Sequence, residues 1–311
     1  MRTYVFALEQ AEQMFAASRN VGQATRPVLV YYGLNQAGRA VAAAAAGRND
    51  DMWRLSGHGI HAKNLTGPLE DIAVHADHPG GAGSFVRLSE ILDSPLWPGA
   101  IKLRTFWDSI PEARALPLVD NRSRRTPLYV DLESMHGEAH PLATAPVVDF
   151  PPWVLDSADR RKALDEYLVA FPGAANFHSY VREGHGSDYQ PQLSRHWDGF
   201  GELRVNWMVA AGESCTPAAQ EAFLRSITTK YNGSQYFFPT VTGSDQGMHP
   251  LMAWWVVLYS LSMLARYQPA EWSAQIDVDH SRHAVALETL LKDAMVIVPL
   301  LVAETTEQVR L

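Results

Sequence analysis

The sequence predicts an α+β protein in which both chain ends build a helical body and an α+β module is inserted between them. Three observations carry this reading. Apolar residues recur at helical period over residues 4–46 and again over 249–302. The stretch from about 125 to 243 changes to alternating patterns broken by turn residues. The run Leu251–Ala265 has almost no polar face, so it needs neighbours on every side. The expected parts are residues 1–124 (N-terminal helical), 125–243 (inserted module) and 244–311 (C-terminal helices packing on the N-terminal part).

The elements follow in order. Residues 4–18 read as a helix free of Gly and Pro. Pro27 suits the first turn of a second helix over Val28–Ala46, since its missing N–H costs nothing there, and Gly47 stops it. The small-residue end Val41–Ala46 permits a close helix neighbour, or simply reflects high helix propensity. Residues 47–84 show little regular pattern, hold four histidines, and end in the flexible run Gly80-Gly81-Ala82-Gly83. Short helices are expected at Leu88–Leu92 and Leu103–Ile110.

In the module, Pro127–Glu133 alternates as a strand, and His140–Phe150 is a strand stopped by Pro151-Pro152. Ser157–Phe171 reads as a helix with Ser157 as N-cap. Strands follow at Phe177–Val181 and Glu202–Ala210; in the second, Leu203, Val205, Trp207 and Val209 alternate with polar residues. Thr216-Pro217 opens a helix to about Lys230, and Ser234–Thr242 is a closing strand. The order from residue 140 on is β-α-β-β-α-β, the ferredoxin-like pattern, a fold that hosts many functions. His249-Pro250 starts the apolar helix, Pro269 ends it, and Ser281–Val302 is the last long helix.

Composition sets outer limits. The 311 residues are 47% apolar and 19% charged, which excludes a disordered, collagen-like or coiled-coil chain. A net charge of −8 excludes a broadly basic nucleic-acid surface but not a local basic groove. One cysteine, Cys215, excludes an internal disulfide and a Cys-based zinc site. The N-terminus lacks a signal-peptide pattern, and the longest apolar run is short of the ~20 residues of a bilayer span. The expectation is a cytoplasmic protein without membrane contact. P-loop, dinucleotide-binding and nucleophile-elbow signatures are absent, and no cofactor is called for.

Three stretches, taken together, bear a family likeness: Pro27-Val-Leu-Val-Tyr-Tyr-Gly-Leu-Asn-Gln-Ala-Gly-Arg-Ala40, Leu55-Ser-Gly-His-Gly-Ile60, and Leu258-Tyr-Ser-Leu-Ser-Met-Leu-Ala-Arg-Tyr267 followed by Trp272. Their order and distances resemble the YaaC-like family of bacterial cytoplasmic proteins, over roughly residues 25–65 and 248–300. That family carries no established activity. Its helical part is similar to HEPN-type domains, which bind or cut RNA, commonly as homodimers. A role in stress or phage defence is implied by that analogy alone. HEPN nucleases place four to six residues between a motif Arg and His; here Arg54 and His58 have only three between them, a departure from the pattern.

The candidate ligand residues are Asn35, Arg39, His58, Gly59, Arg266 and Trp272. Glycines on both sides of His58 free the backbone and admit a ligand close to an imidazole that titrates near neutrality. The competing reading is a loop histidine bonded to a carbonyl and packed between helices. Arg266 at a helix end either grips a phosphate or carboxylate, or caps the helix and stacks on Trp272. Asn35 and Arg39 share a helix face at i, i+4. Arg54 and His58 are the catalytic candidates, with no role assigned. His58, His61, His75 and His78 form two H-x-x-H pairs, with Asp77 inside the second, but both fall in irregular segments, so no metal site is assigned. Arg122-Ser-Arg-Arg is the one dense basic run, a solvated linker or a phosphate contact. Tyr31-Tyr32 and Trp254-Trp255 read as core aromatics rather than base-stacking platforms. Cys215, at a helix start without a placed His, reads as inert.

The expected function is therefore a non-catalytic or regulatory binding protein for a nucleotide, RNA or protein partner. The alternatives are a HEPN-type metal-independent endoribonuclease and a scaffold subunit of a larger complex.

Overall fold

A computed structural model describes residues 2–45, 55–135, 140–184, 188–209, 216–241 and 245–310. Within them it is a mixed α+β protein with 11 α-helices and antiparallel sheets. The chain divides into two compact units: residues 1–124 with 248–311, and residues 125–247.

The first unit holds α1 (Arg2–Arg19), α2 (Arg26–Ala45), α3 (Ser84–Ile91), α4 (Leu103–Asp108), α9 (Pro250–Tyr267), α10 (Pro269–Gln275) and α11 (Ala284–Arg310). Its centre is α9. Every residue from Pro250 to Leu264 is buried, because α2, α3, α4, α10 and α11 surround it. That is the physical answer to a helix without a polar face. His249 caps α9, its Nδ1 accepting from the Leu251 N–H at 3.2 Å. α9 ends at Tyr267, as Pro269 leads one to expect, and Pro269 itself opens a further helix. It occupies the first turn of α10, where proline needs no N–H partner.

The stretch 47–84, expected to be irregular, holds β1 (Ile60–Lys63) and β2 (Ala73–Ala76), which join β3 (Ile101–Lys102) in a small antiparallel sheet of order β1-β2-β3. Strands of two to four residues are too short for alternation to reveal them.

The second unit is built on a sheet of β4 (Leu128–Val130), β5 (Leu142–Phe150), β6 (Ser179–Tyr180), β10 (Gly201–Met208), β11 (Thr229–Tyr231) and β12 (Ser234–Phe237). The order is β11-β12-β4-β5-β10-β6, with β9 (Ser194–Arg195) also on β10. A separate pair joins β7 (Arg182–Glu183) to β8 (Gln190–Pro191). The β-α-β-β-α-β order along the chain is present, and β5-β10-β6 lie side by side. The ferredoxin-like pattern would put the last strand beside β5; instead β4 lies between β5 and β12. The β5–β10 register sets small against large residues: Ala143 faces Trp207, Ala145 faces Val205, and Val147 faces Leu203. Tyr167 and Leu164 from α6 (Arg160–Leu168), Phe171, and Leu224 from α8 (Pro217–Ile227) close the core over that face. The expected helix over 157–171 is shorter at both ends. A separate turn, α5 (Pro152–Leu155), precedes it, and Asp159 rather than Ser157 is the cap, accepting from the Lys162 N–H. Thr216 caps α8 as expected, its side chain accepting from Ala219 N–H.

Candidate functional site

The His58 segment is fastened from both sides. The N–H groups of Ser84 and Phe85, opening α3, donate to the carbonyls of Gly57 (3.2 Å) and His58 (2.9 Å), and Asp77 N–H donates to the Gly59 carbonyl (3.1 Å). Gly57 and Gly59 both have φ of +71°, a conformation that costs any residue with a Cβ. The two glycines differ in surroundings. A Cβ on Gly57 would meet nothing within 4 Å, whereas one on Gly59 would lie 2.9 Å from Gly83 Cα. A Cβ on Gly83 would lie 2.2 Å from Gly59 Cα. Gly59 and Gly83 therefore pack backbone on backbone. The space a Gly59 side chain would take is filled by another part of the chain, while the space beside Gly57 is open.

The half-buried His58 ring sits against two tyrosines. Its Nδ1 is 2.9 Å from the Tyr31 hydroxyl, and its ring centroid is 5.8 Å from Tyr31 and 5.4 Å from Tyr259. Burial lowers the His58 pKa, with the Arg266 and His61 charges adding in the same direction. The imidazole is therefore neutral at pH 7. Burial, with Tyr259 next in effect, raises the Tyr31 pKa far above a normal phenol, and burial pushes Tyr259 up to about 12. Both hydroxyls keep their protons. Where the Tyr31 hydroxyl donates to Nδ1, the imidazole proton resides on Nε2 and the ring is a neutral donor.

Arg266 supplies charge beside this neutral group. It is exposed at the end of α9, donates through Nη1 to the Tyr32 hydroxyl at 2.7 Å, and lies 5.0 Å over the Tyr267 ring. Trp272, expected to stack on Arg266, is buried and donates its indole N–H to the Gln23 carbonyl at 3.1 Å. Because Pro269 starts a new helix, the tryptophan is carried away from the arginine. Asn35 is buried, near enough to Tyr31 to act on its hydroxyl. Arg39 has a buried Nε without a hydrogen-bond partner among the described residues. Arg54 and Cys215 lie outside the described residues.

One member of each histidine pair lies in irregular backbone as expected, His58 and His78, and the other lies on a strand. His61 is on β1 and His75 on β2, directly opposite one another. His61 Nε2 is 2.9 Å from Asp77 Oδ1, both side chains exposed, and His78 is exposed as well. Among the described residues, no three His, Cys, Asp or Glu converge to hold a metal. The basic run is partly consumed within the fold: Arg124 Nε is 2.9 Å from the buried Asp108 carboxylate, and Arg125 lies over Trp153 and Tyr167.

Tyr31 and Tyr32 read as core aromatics in the sequence and Tyr259 as part of an apolar helix, so their place beside His58 and Arg266 was not visible. A signal was present: Tyr259 and Arg266 are seven apart, hence on one face of α9, as Tyr31 and Asn35 are on α2.

A family model described as YaaC-like Protein matches residues 1–306. The chain belongs to the YaaC-like family. No curated protein and no solved structure matches it. No helix among the described residues is long and apolar enough to cross a membrane. Within this YaaC-like chain, the His58 surface offers a neutral N–H donor, an exposed guanidinium and exposed aromatic faces. Such a set suits an oxyanion attached to a planar group.

Proposed function

We propose that this chain is a non-catalytic or regulatory binding protein that takes a phosphate-bearing ligand, a nucleotide or an RNA end, at the surface formed by His58, Tyr32, Arg266 and Tyr267. The observation that carries the reading is that two neighbouring tyrosines of α2, their rings 5.5 Å apart, contact the two groups: Tyr31 lies 2.9 Å from the His58 ring and Tyr32 accepts from Arg266. The arginine brings charge and a fork of donors, and the histidine adds a donor without adding repulsion. Tyr31 holds the ring through Nδ1, so the histidine is oriented before any ligand arrives. Tyr267, 57% exposed, gives a base or sugar a face to cover.

Isothermal titration with nucleoside 5′-monophosphates and a single-stranded 12-mer RNA tests this on wild type, His58→Ala and Arg266→Ala. The expected result is binding that each substitution weakens about tenfold while the melting temperature holds, about 1.4 kcal/mol per decade. Loss of binding in proportion to lost thermal stability would mean that His58 serves the fold alone. Wild-type cleavage of the RNA that disappears in His58→Ala would replace the reading with an endoribonuclease.

A further inference from the structure

The second unit carries a cavity of about 180 Å³ between the start of α6 and the β6–β8 ribbon. Arg161, Asp165, Tyr180, Arg182 and Tyr189 are among its walls. Two guanidinium groups share one aromatic ring: Arg182 Cζ is 4.3 Å and Arg161 Cζ 5.2 Å from the Tyr189 centroid. Stacking fixes each guanidinium plane but leaves its N–H edges free. Neither arginine has an ion-pair partner among the described residues, whereas the neighbouring Arg160 is paired with Glu183. That pair and the bond from Arg161 N–H to Gln190 Oε1 (3.2 Å) tie α6 to the ribbon and hold the cavity wall.

Two stacked cations repel each other; the Asp165 carboxylate in the same wall makes no ion pair with either, and an oxyanion between the two guanidinium groups offsets their repulsion. The volume selects how much of a ligand enters. Sites for drug-sized molecules run from about 300 to 1,000 Å³, so this cavity admits an anionic group and a small attachment. Asp165 is out of place against a bare anion, but its carboxylate is an acceptor for a sugar hydroxyl.

We infer that this cavity is a second binding site, separate from His58, for a ribose phosphate: Arg161 and Arg182 grip the phosphoryl oxygens and Asp165 accepts a ribose hydroxyl. The same chemistry is offered by a free ribose phosphate and by a nucleotide unit within single-stranded RNA.

Binding of ribose 5-phosphate and of a fluorescein-labelled single-stranded 12-mer RNA, measured by calorimetry and anisotropy on the full chain, tests the inference. The variants are Arg161→Gln, Arg182→Gln, their double, Arg182→Lys, and Arg225→Gln as a surface control. All of these arginines are exposed, and circular dichroism checks that each variant folds. Each Gln substitution is expected to weaken binding about tenfold, the double about a hundredfold, and Arg182→Lys severalfold through loss of the fork. Arg225→Gln leaves binding unchanged. Response to ribose 5-phosphate assigns a small ligand, and response to RNA alone assigns the polymer. In the polymer case a deoxy 12-mer binds more weakly because Asp165 loses its hydroxyl. Failure of both probes to bind wild type, or wild-type affinity in the double variant, overturns the inference. Binding abolished by His58→Ala but kept by the double variant also overturns it, while leaving the His58 reading standing.

Discussion

Gly83→Ala tests how the His58 segment is held. Gly83 has an ordinary φ of −64°, so backbone preference alone predicts a harmless change, slightly stabilising through the unfolded state. The contacts predict the opposite. The new Cβ would lie 2.2 Å from Gly59 Cα and 2.6 Å from Gly59 N, and backbone atoms cannot rotate aside as a side chain would. Relief requires the 57–59 turn to move away from α3, which breaks the bonds to the Gly57 and His58 carbonyls. Overpacking costs about 1–3 kcal/mol, and each lost bond adds about 1 kcal/mol, so a loss of about 3–5 kcal/mol is expected. Gly59→Ala combines a 2.9 Å contact with φ +71° and is expected to cost about 2–4 kcal/mol. Gly57→Ala has the same φ and open space, so strain alone costs about 1–2 kcal/mol. Urea unfolding followed by tryptophan fluorescence gives the ranking. Hydrogen exchange at the Phe85 amide shows whether its bond to His58 is lost. A Gly83→Ala protein within about 0.5 kcal/mol of wild type, or equal losses for Gly57→Ala and Gly59→Ala, would refute the reasoning.

Further outcomes follow from the same contacts. Arg266→Ala should raise the His58 pKa toward the normal value, since Arg266 is among the causes lowering it; an NMR titration of the imidazole shows no change if the two do not interact. His249 is held at about 4, chiefly by burial. Its neutral form is favoured in the folded state, so its stabilisation is complete above pH ~6.5 and is lost as pH falls through about 4. The full shift would be worth about 3 kcal/mol, and partial exposure of the ring brings that to about 1–2. His249→Asn keeps a capping acceptor and should flatten the acid limb of a stability–pH curve. Trp255, fully buried on α9 and 6.1 Å from the Tyr31 ring, should cost about 3–5 kcal/mol as Trp255→Ala; urea unfolding that shows under 1 kcal/mol would place it outside the core.

The long helices were legible because periodicity and apolar content survive tertiary packing. Pro250 through Leu264 needed neighbours on every side, and five helices supply them. The strands at 60–76 were not legible, since His61 and His75 lie on two short ribbons that leave only a few alternating positions. Pro269 carries the signal for a helix stop and for a helix start alike; the stop after Tyr267 was legible, and the new helix that carries Trp272 was not. The indole in fact reaches the Gln23 carbonyl. His58 was visible through its glycines, but their purpose was not: Gly59 meets Gly83 only because the chain returns there 24 residues later. The tyrosines around His58 were hidden because a buried tyrosine looks like core in sequence, whether or not its hydroxyl orients another group.

The central claim is that the His58–Arg266 surface holds a phosphate-bearing ligand. Native mass spectrometry of protein purified gently from cells, wild type beside Arg266→Ala, tests it most directly. The expected spectrum shows an added mass on wild type that fragments to a nucleotide or RNA end and is reduced or missing in the variant. The same added mass on both proteins, or wild type at its bare mass even after mixing with nucleoside monophosphates and RNA, would contradict it.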